Sequence, residues 1–223
     1  MMASDHTWVW GLSPEFVRLL SRRHNSLRSM FSTPKELAEC FHTRNVVFFH
    51  PGDHESGLLA DLSGFDKVVC NVGDPMTLDD AKGQTAKAER LGVLSRDFPN
   101  IVGAIVDDFS SGIKTGRMSV DTMAGTYAAL KEANPALKLL AVIYTMHFDL
   151  DLTPYLPYFD VVNLWIWRSS DVPHLEEYME TARKLFPDKP IQLGLYLYDY
   201  GETHETLPMD LVKFEFERAI GYL

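Results

Sequence analysis

Short, strongly apolar runs alternate with longer amphipathic stretches along the whole chain. Runs rich in Val, Ile and aromatic residues predict strands at Thr7–Trp10, Asn45–His50, Lys67–Val72, Ile101–Asp107, Lys138–Thr145, Asp160–Trp167 and Ile191–Tyr198. The stretches between them predict helices at Pro14–Ser29 with Pro34–Phe41, Glu55–Leu62, Leu78–Asp97, Val120–Ala133, Thr153–Tyr158, Val172–Phe186 and Pro208–Tyr222. Local punctuation agrees with these limits. Ser13 and Thr33 each precede a proline, a cap followed by a residue whose fixed φ starts a helix. Phe98-Pro99, Asn134-Pro135 and Phe186-Pro187 close helices just ahead of strands.

Nearly continuous apolar strands separated by helices indicate a parallel sheet covered on its outer face by helices. Seven β–α units in succession favour a TIM-type (β/α)8 barrel over an open sheet. No glycine-rich phosphate turn follows the first strand, as a dinucleotide-binding sheet would require. A full barrel has eight strands and about 250 residues. Here seven units are visible, so the expectation is an α/β barrel of residues 1–223 in one domain, its eighth unit missing or truncated. An open edge between the first and seventh strands would favour self-association.

Composition narrows the partners. Among 223 residues, 21 basic and 31 acidic side chains leave a net charge of −10. Phosphate binding draws on clustered Lys and Arg, so neither nucleic acid nor an anionic membrane surface is an expected partner. No run of about 18 apolar residues is present to span a bilayer. Two cysteines, Cys40 and Cys70, without a CxxC pair, exclude a disulfide framework and a cysteine-rich zinc site. No signal-peptide pattern is visible at the N-terminus, so a cytoplasmic location is the default expectation, and secretion would require a leader that has been removed. No cofactor motif is read.

Two strands reveal which side chains face inward. In the sixth, Val162, Leu164 and Ile166 form an aliphatic face suited to the helix layer, leaving Val161, Asn163, Trp165 and Trp167 inside. In the seventh, Ile191, Leu193, Leu195 and Leu197 face outward and Gln192, Gly194, Tyr196 and Tyr198 inward. Polar and aromatic groups thicken toward the carboxyl ends, where barrels of this kind build their sites. The second strand ends at His50, the third carries Asn71 and leads to Asp74, the fifth ends in Tyr144, with His147 beyond, and the sixth in Arg168. Together these read as a ring of substrate-binding groups for a small molecule or oligosaccharide.

The sharpest feature is Ile101-Val102-Gly103-Ala104-Ile105-Val106-Asp107-Asp108, an apolar strand that delivers two adjacent carboxylates. Like charges so close raise one pKa, and a proton-holding acid beside an ionised partner suits glycoside cleavage. Helix capping by one of the pair is the bland alternative, weakened because Ser119 is the better cap for the helix beginning at Val120. With Trp and Tyr on later strands, this Asp-Asp tip resembles glycoside-hydrolase-type barrels, in particular the retaining N-acetylhexosaminidases with adjacent aspartates. That resemblance implies that Asp107 orients and polarises a 2-acetamido group and that Asp108 is the general acid/base. It also implies apolar sugar contacts from Trp165, Trp167, Tyr196 and Tyr198, and hydroxyl contacts from Asn71, Asn163 and Arg168. No other motif of that family is recognised.

Two other classes stay open. His50, Asp53, His54, Asp74, Asp107 and His147 include potential ligands for a divalent ion in a lyase, isomerase or hydrolase, although His-Glu-x-x-His and His-x-His spacings are absent and no metal ligand is assigned. A non-catalytic carbohydrate-binding barrel is the other. The final helix alternates Lys213, Glu215, Glu217 and Arg218 with Phe214 and Phe216, which suits a helix docked on the barrel.

Overall fold

The valine-rich runs are buried on both faces, as strands sandwiched between a helix layer and an interior must be. The computed structural model describes residues 6–23, 33–76 and 81–222. Seven strands, β1 (Val9–Leu12), β2 (Asn45–Phe49), β3 (Lys67–Gly73), β4 (Ile101–Val106), β5 (Lys138–Tyr144), β6 (Val161–Trp165) and β7 (Ile191–Gly194), pair in parallel in sequence order. The helices are α1 (Pro14–Arg23), α2 (Pro34–Cys40), α3 (Ser56–Ala60), α4 (Ala81–Leu94), α5 (Phe109–Lys114), α6 (Val120–Ala133), α7 (Leu175–Leu185) and α8 (Met209–Ile220). Short 3₁₀ turns occupy Thr145–His147, Thr153–Tyr158 and Ser169–His174.

The sheet is strongly curled. Neighbouring strands lie about 4.8 Å apart, so β1 and β6 would be separated by about 24 Å in a flat sheet. Yet the rings of Trp10 on β1 and Trp165 on β6 meet edge to face with centroids 4.8 Å apart. Their contact spans the interior of a barrel-like curl. No hydrogen-bonded pairing joins β1 to β7, and an eighth strand is not found among the described residues.

Alternation along the strands separates two apolar regions. Val46, Cys70, Ala104, Val106, Ile143, Val162 and Leu164 turn outward to the helices. Val47, Phe49, Val69, Ile105, Val142, Tyr144 and Trp165 turn inward, joined by Trp8, Trp10, Val161 and Tyr196. The inward and outward faces expected for the sixth strand are therefore observed, as are the outer positions of Ile191 and Leu193.

Caps fix the helix starts where the sequence marks them. The Thr33 hydroxyl accepts the Glu36 amide at 3.3 Å, and the Glu36 carboxylate accepts the Thr33 amide at 2.8 Å. The Ser119 side chain accepts the Thr122 amide at 3.1 Å and so caps α6. Expected helix residues 24–29 and 78–80 lie outside the described residues.

Three expectations need correction. β7 ends at Gly194 rather than Tyr198, because the chain beyond it pairs with itself instead of with β6; the Trp165 ring lies over Gly194, where a Cβ would come within 2.1 Å of it. The chain then leaves the sheet and forms a small ribbon, with Tyr198 bridged to Thr206 and Leu207 donating its amide to Leu197. Tyr198 accordingly stands in that ribbon, not inside the barrel. Second, the turn after Asp108 holds the unforeseen helix α5, too short to carry a periodic signal. Third, β6 ends at Trp165 rather than Trp167. The expected docked helix is α8, and on its inner face Glu215 is buried, only 1% exposed.

Candidate active site at the end of the fourth strand

The geometry at Asp107 and Asp108 begins with alternation. Ile105 faces the interior and Val106 the helices, so Asp107 continues the inward series. Asp108 departs from it with φ 47° and ψ 26°, a left-handed conformation that a non-glycine residue adopts only under local constraint. This sharp strand-to-helix turn leads straight into α5. Asp108 occupies the cap position of α5 without making a side-chain cap bond, so its carboxylate is not consumed by the helix.

Each acid has few partners. Oδ1 of Asp107 accepts the Asp108 amide at 2.9 Å, and Oδ1 of Asp108 accepts the Tyr144 hydroxyl at 2.8 Å. Ser111 also lies within hydrogen-bonding reach of Asp108. Desolvation, then the negative charges of Asp108 and Asp74, hold the Asp107 carboxyl well above the ordinary range. Asp108 is raised too, again first by desolvation, with the Tyr144 hydrogen bond opposing. The two carboxyls titrate as a pair, and the pair retains a proton at a pH where an ordinary carboxylate has lost it.

Aromatic side chains wall this pair. The rings of Tyr144 and Trp167 meet edge to face at 5.0 Å. Tyr196 is in hydrogen-bonding contact with Tyr144, feels the charge of Asp107, and packs on Trp165 at 4.5 Å and Trp167 at 5.9 Å. Burial drives the phenols of Tyr144 and Tyr196 well above the usual tyrosine range, so both stay protonated donors. Tyr200, which the sequence places at the end of the seventh strand run without a binding role, extends the wall through Trp167 and Tyr196.

The remaining predicted residues divide by location. Asp74, nearly buried, accepts the Met76 amide at 2.9 Å and acts on both acids through its charge. Asn71 points inward on β3, but its Oδ1 accepts the His50 amide at 2.8 Å. His50 itself contacts the Ser13 hydroxyl at 3.1 Å and lies 4.0 Å from Glu15; burial lowers its pKa, and Glu15 partly opposes this. Asn163 is buried, donating to Gln192 at 3.0 Å and accepting the Trp165 indole N–H. Trp165, 6% exposed, is part of the interior packing, whereas Trp167 is half-buried. Arg168 is exposed and lines a crevice with Tyr198 and Glu215 that also touches Trp167 and Tyr196.

A second layer was also missed. The Ser110 hydroxyl lies 2.9 Å from Nδ1 of His147 and accepts the Tyr144 amide at 3.1 Å, fixing the backbone that carries the Tyr144 phenol. Two adjacent signals pointed there, a serine just past the Asp-Asp tip and a histidine just past the fifth strand. The potential metal ligands do not converge. His54 meets the Asn71 carbonyl through Nε2 at 2.6 Å, His147 meets Ser110, and among the described residues no three His, Cys, Asp or Glu side chains group to hold an ion.

Comparison with known proteins bears on the fold. No family model matches the sequence, and no curated protein does. Solved structures match in three dimensions. A β-D-glucuronidase of Dictyoglomus thermophilum aligns with a TM-score of 0.53 at 10% identity, over 83% of this chain and 36% of its own. A glycoside hydrolase family 17 β-1,3-glucanosyltransferase of Rhizomucor miehei gives 0.55 at 12% identity, over 95% of this chain and 80% of its own. QR15, an aldolase, gives 0.52 at 10% identity over 96% and 86%. The curled parallel sheet is thus a TIM-type fold like that of glycoside hydrolases. This chain spans about a third of the glucuronidase. An aldolase shares the architecture, so the fold alone does not choose the reaction. Among the described residues, no helix is long and apolar enough to cross a membrane.

Proposed function

We propose that the chain is a glycoside-hydrolase-like barrel that cleaves a carbohydrate by carboxylate acid/base catalysis at the carboxyl ends of its strands. The observation that carries this reading is the desolvated Asp107–Asp108 pair, held by the Tyr144 hydroxyl at 2.8 Å beside Trp167 and Tyr196. In this reading Asp108, set out of alternation by its left-handed turn, protonates the departing oxygen. Asp107, aimed into the barrel, orients the group that attacks or stabilises the sugar's anomeric carbon. For an N-acetylhexosaminidase-like substrate that group is the 2-acetamido oxygen, polarised by Asp107 acting on its N–H. Trp167, Tyr196 and Tyr200 offer faces for sugar C–H groups.

The electrostatics favour this use. Glycosidic oxygen is a poor leaving group, and a carboxyl held above the ordinary carboxylate range supplies the proton that the bond requires. Desolvation first, and then the charge of Asp74 acting on both carboxyls, favour the protonated form of the pair. A panel of chromogenic aryl glycosides, including the 2-acetamido sugars, tests the proposal, with Asp108→Asn as the paired control. Turnover by the native chain and its loss in the variant would support it. Equal turnover by both would remove the assignment of Asp108. Elemental analysis of the purified protein, and activity before and after chelation, separates this reading from metal-dependent chemistry.

A further inference from the structure

The most buried residue on α8 is its glutamate. Leu211, Val212, Phe214, Phe216 and Ala219 remain partly exposed, while Glu215 in their midst is 1% exposed. Amphipathic helices bury aliphatic residues at such positions, so the carboxyl is a local contradiction in a helix otherwise built to dock. Its Oε2 is buried and has no hydrogen-bond partner. The crevice beside it, lined by Ile166, Trp167, Tyr196, Tyr198 and Leu207 among others, has no room for a water molecule.

Position gives this carboxyl leverage. On the outside of the curl, α8 touches α7 through the Arg218–Glu176 pair at 3.0 Å and through Arg183 over the Tyr222 ring. On the other side Phe216 stacks with Phe41, which closes α2, at 6.5 Å. Because α7 precedes β7 and α2 adjoins β1, α8 spans the side where those two strands do not pair. Its inner face contacts the 3₁₀ turn Ser169–His174, and Glu215 lines one crevice with Trp167 and Tyr196 of the wall and with Tyr198, Asp199 and Leu207 of the ribbon.

We infer that α8 is a latch governed by the proton on Glu215, holding the ribbon and the aromatic wall in place while the carboxyl is neutral and releasing them when it ionises. The charged and titratable groups around it do not supply a counter-charge. Arg168, Asp199, Tyr196 and Tyr198 face the crevice from the strand ends, and the 3₁₀ turn that contacts α8 carries Asp171 and His174, the latter 3.4 Å from Glu177. On α8, Lys213 pairs with Glu217 and Arg218 with Glu176. Among the described residues Glu215 forms no ion pair. Desolvation alone pushes its pKa up to about 8. Tyr196 titrates well above the tyrosine range, and the hydrogen bonds donated to Asp199 by Ser169, Gly201 and Thr203 keep it ionised, so neither changes charge across neutrality.

The sign follows from linkage. A carboxyl whose folded pKa lies above its unfolded value favours docking at low pH and loses that advantage as pH rises from about 4.5 to about 8. Hydrogen exchange of residues 196–207 and 209–220 at pH 6 and pH 9 tests the latch, with rates corrected for their intrinsic pH dependence. The native chain should open about 100-fold more at pH 9 than at pH 6, from those two pKa values. Glu215→Gln, the shape of the neutral acid, should remain closed at both, and Glu215→Met provides a second uncharged side chain. Equal corrected rates at the two pH values in the native chain would overturn the latch. So would an unchanged pH response in both variants. The readout needs no turnover, so it stands or falls apart from the glycosidase proposal.

Discussion

The phenol of Tyr144, closing β5, donates to Oδ1 of Asp108, two residues past the end of β4, across 2.8 Å. Two adjacent strand ends thereby place a hydrogen-bond donor on an acid that has lost much of its water. The phenol is itself anchored from behind, since Ser110 accepts the Tyr144 amide. Removing the hydroxyl with Tyr144→Phe leaves the ring packing intact. A hydrogen bond to a charged group is worth about 1.5–3 kcal/mol, so kcat should fall about 10- to 100-fold while the circular dichroism spectrum stays unchanged. Retained kcat would show that the phenol serves packing only.

Asp74 tunes the same pair at a distance. Its charge raises both Asp107 and Asp108. Activity that depends on a protonated acid declines on the alkaline side, at the raised pKa of that acid. Asp74→Asn keeps the acceptor for the Met76 amide but removes the charge. The alkaline limb of the kcat/KM profile should therefore move to lower pH, and a limb that stays in place would dissociate Asp74 from the titration.

The pair should also weigh on stability. Asp107 has a folded pKa above its unfolded 3.8, so its ionisation destabilises the native chain above that pH and has no effect well below it. Asp107→Asn should raise Tm at pH 7 by a few degrees, at about 2–4 °C per kcal/mol for a chain of this size. At pH 3 the two proteins should melt together. A Tm lowered at pH 7 would mean that Asp107 contributes structure rather than strain.

Packing on the two sides of β6 separates two failures. Leu164 is wholly buried under the helices, and Leu164→Ala should cost about 2–5 kcal/mol in denaturant unfolding. Gly194→Ala instead drives a methyl into the Trp165 ring from the neighbouring strand. Overpacking of that kind costs about 1–3 kcal/mol and should tilt the ring, shifting tryptophan emission. Equal stability of Gly194→Ala and the native chain would show the ring free to move.

Much of the scaffold was readable because it depends on local pattern. The apolar runs located all seven strands, and β2 through β5 end within a residue of their expected limits. Val162, Leu164 and Ile166 declared their outward face through period-two alternation, and Ser119 declared its cap. What escaped depends on contacts distant in sequence. Nothing in Ile191–Tyr198 announces that Trp165 crosses Gly194 or that the chain beyond pairs with residues 205–207. α5 is six residues long, shorter than two helical turns. Glu215 sits between Phe214 and Phe216, and nothing in that alternation announces that the carboxyl faces inward.

The site was legible as a list and not as a geometry. Asp107, Asp108, Tyr144, Trp167 and Tyr196 do come together. Asn163 faces inward as expected, but lies beneath the wall with its amide engaged by Gln192 and Trp165. Arg168 stands beyond the wall, in the crevice with Glu215. Facing follows from alternation; depth and partners are set by strand register and ring packing, which no single strand encodes.

The most direct test of the central claim compares aryl glycosides whose leaving groups differ in basicity, hydrolysed by the native chain and by Asp108→Asn. An acid that protonates the departing oxygen matters most when that oxygen is basic. For a poor leaving group kcat/KM should drop about 10²- to 10⁴-fold in the variant, and far less for a dinitrophenyl glycoside that leaves unaided. A loss independent of the leaving group, or no loss at all, would contradict Asp108 as the proton donor.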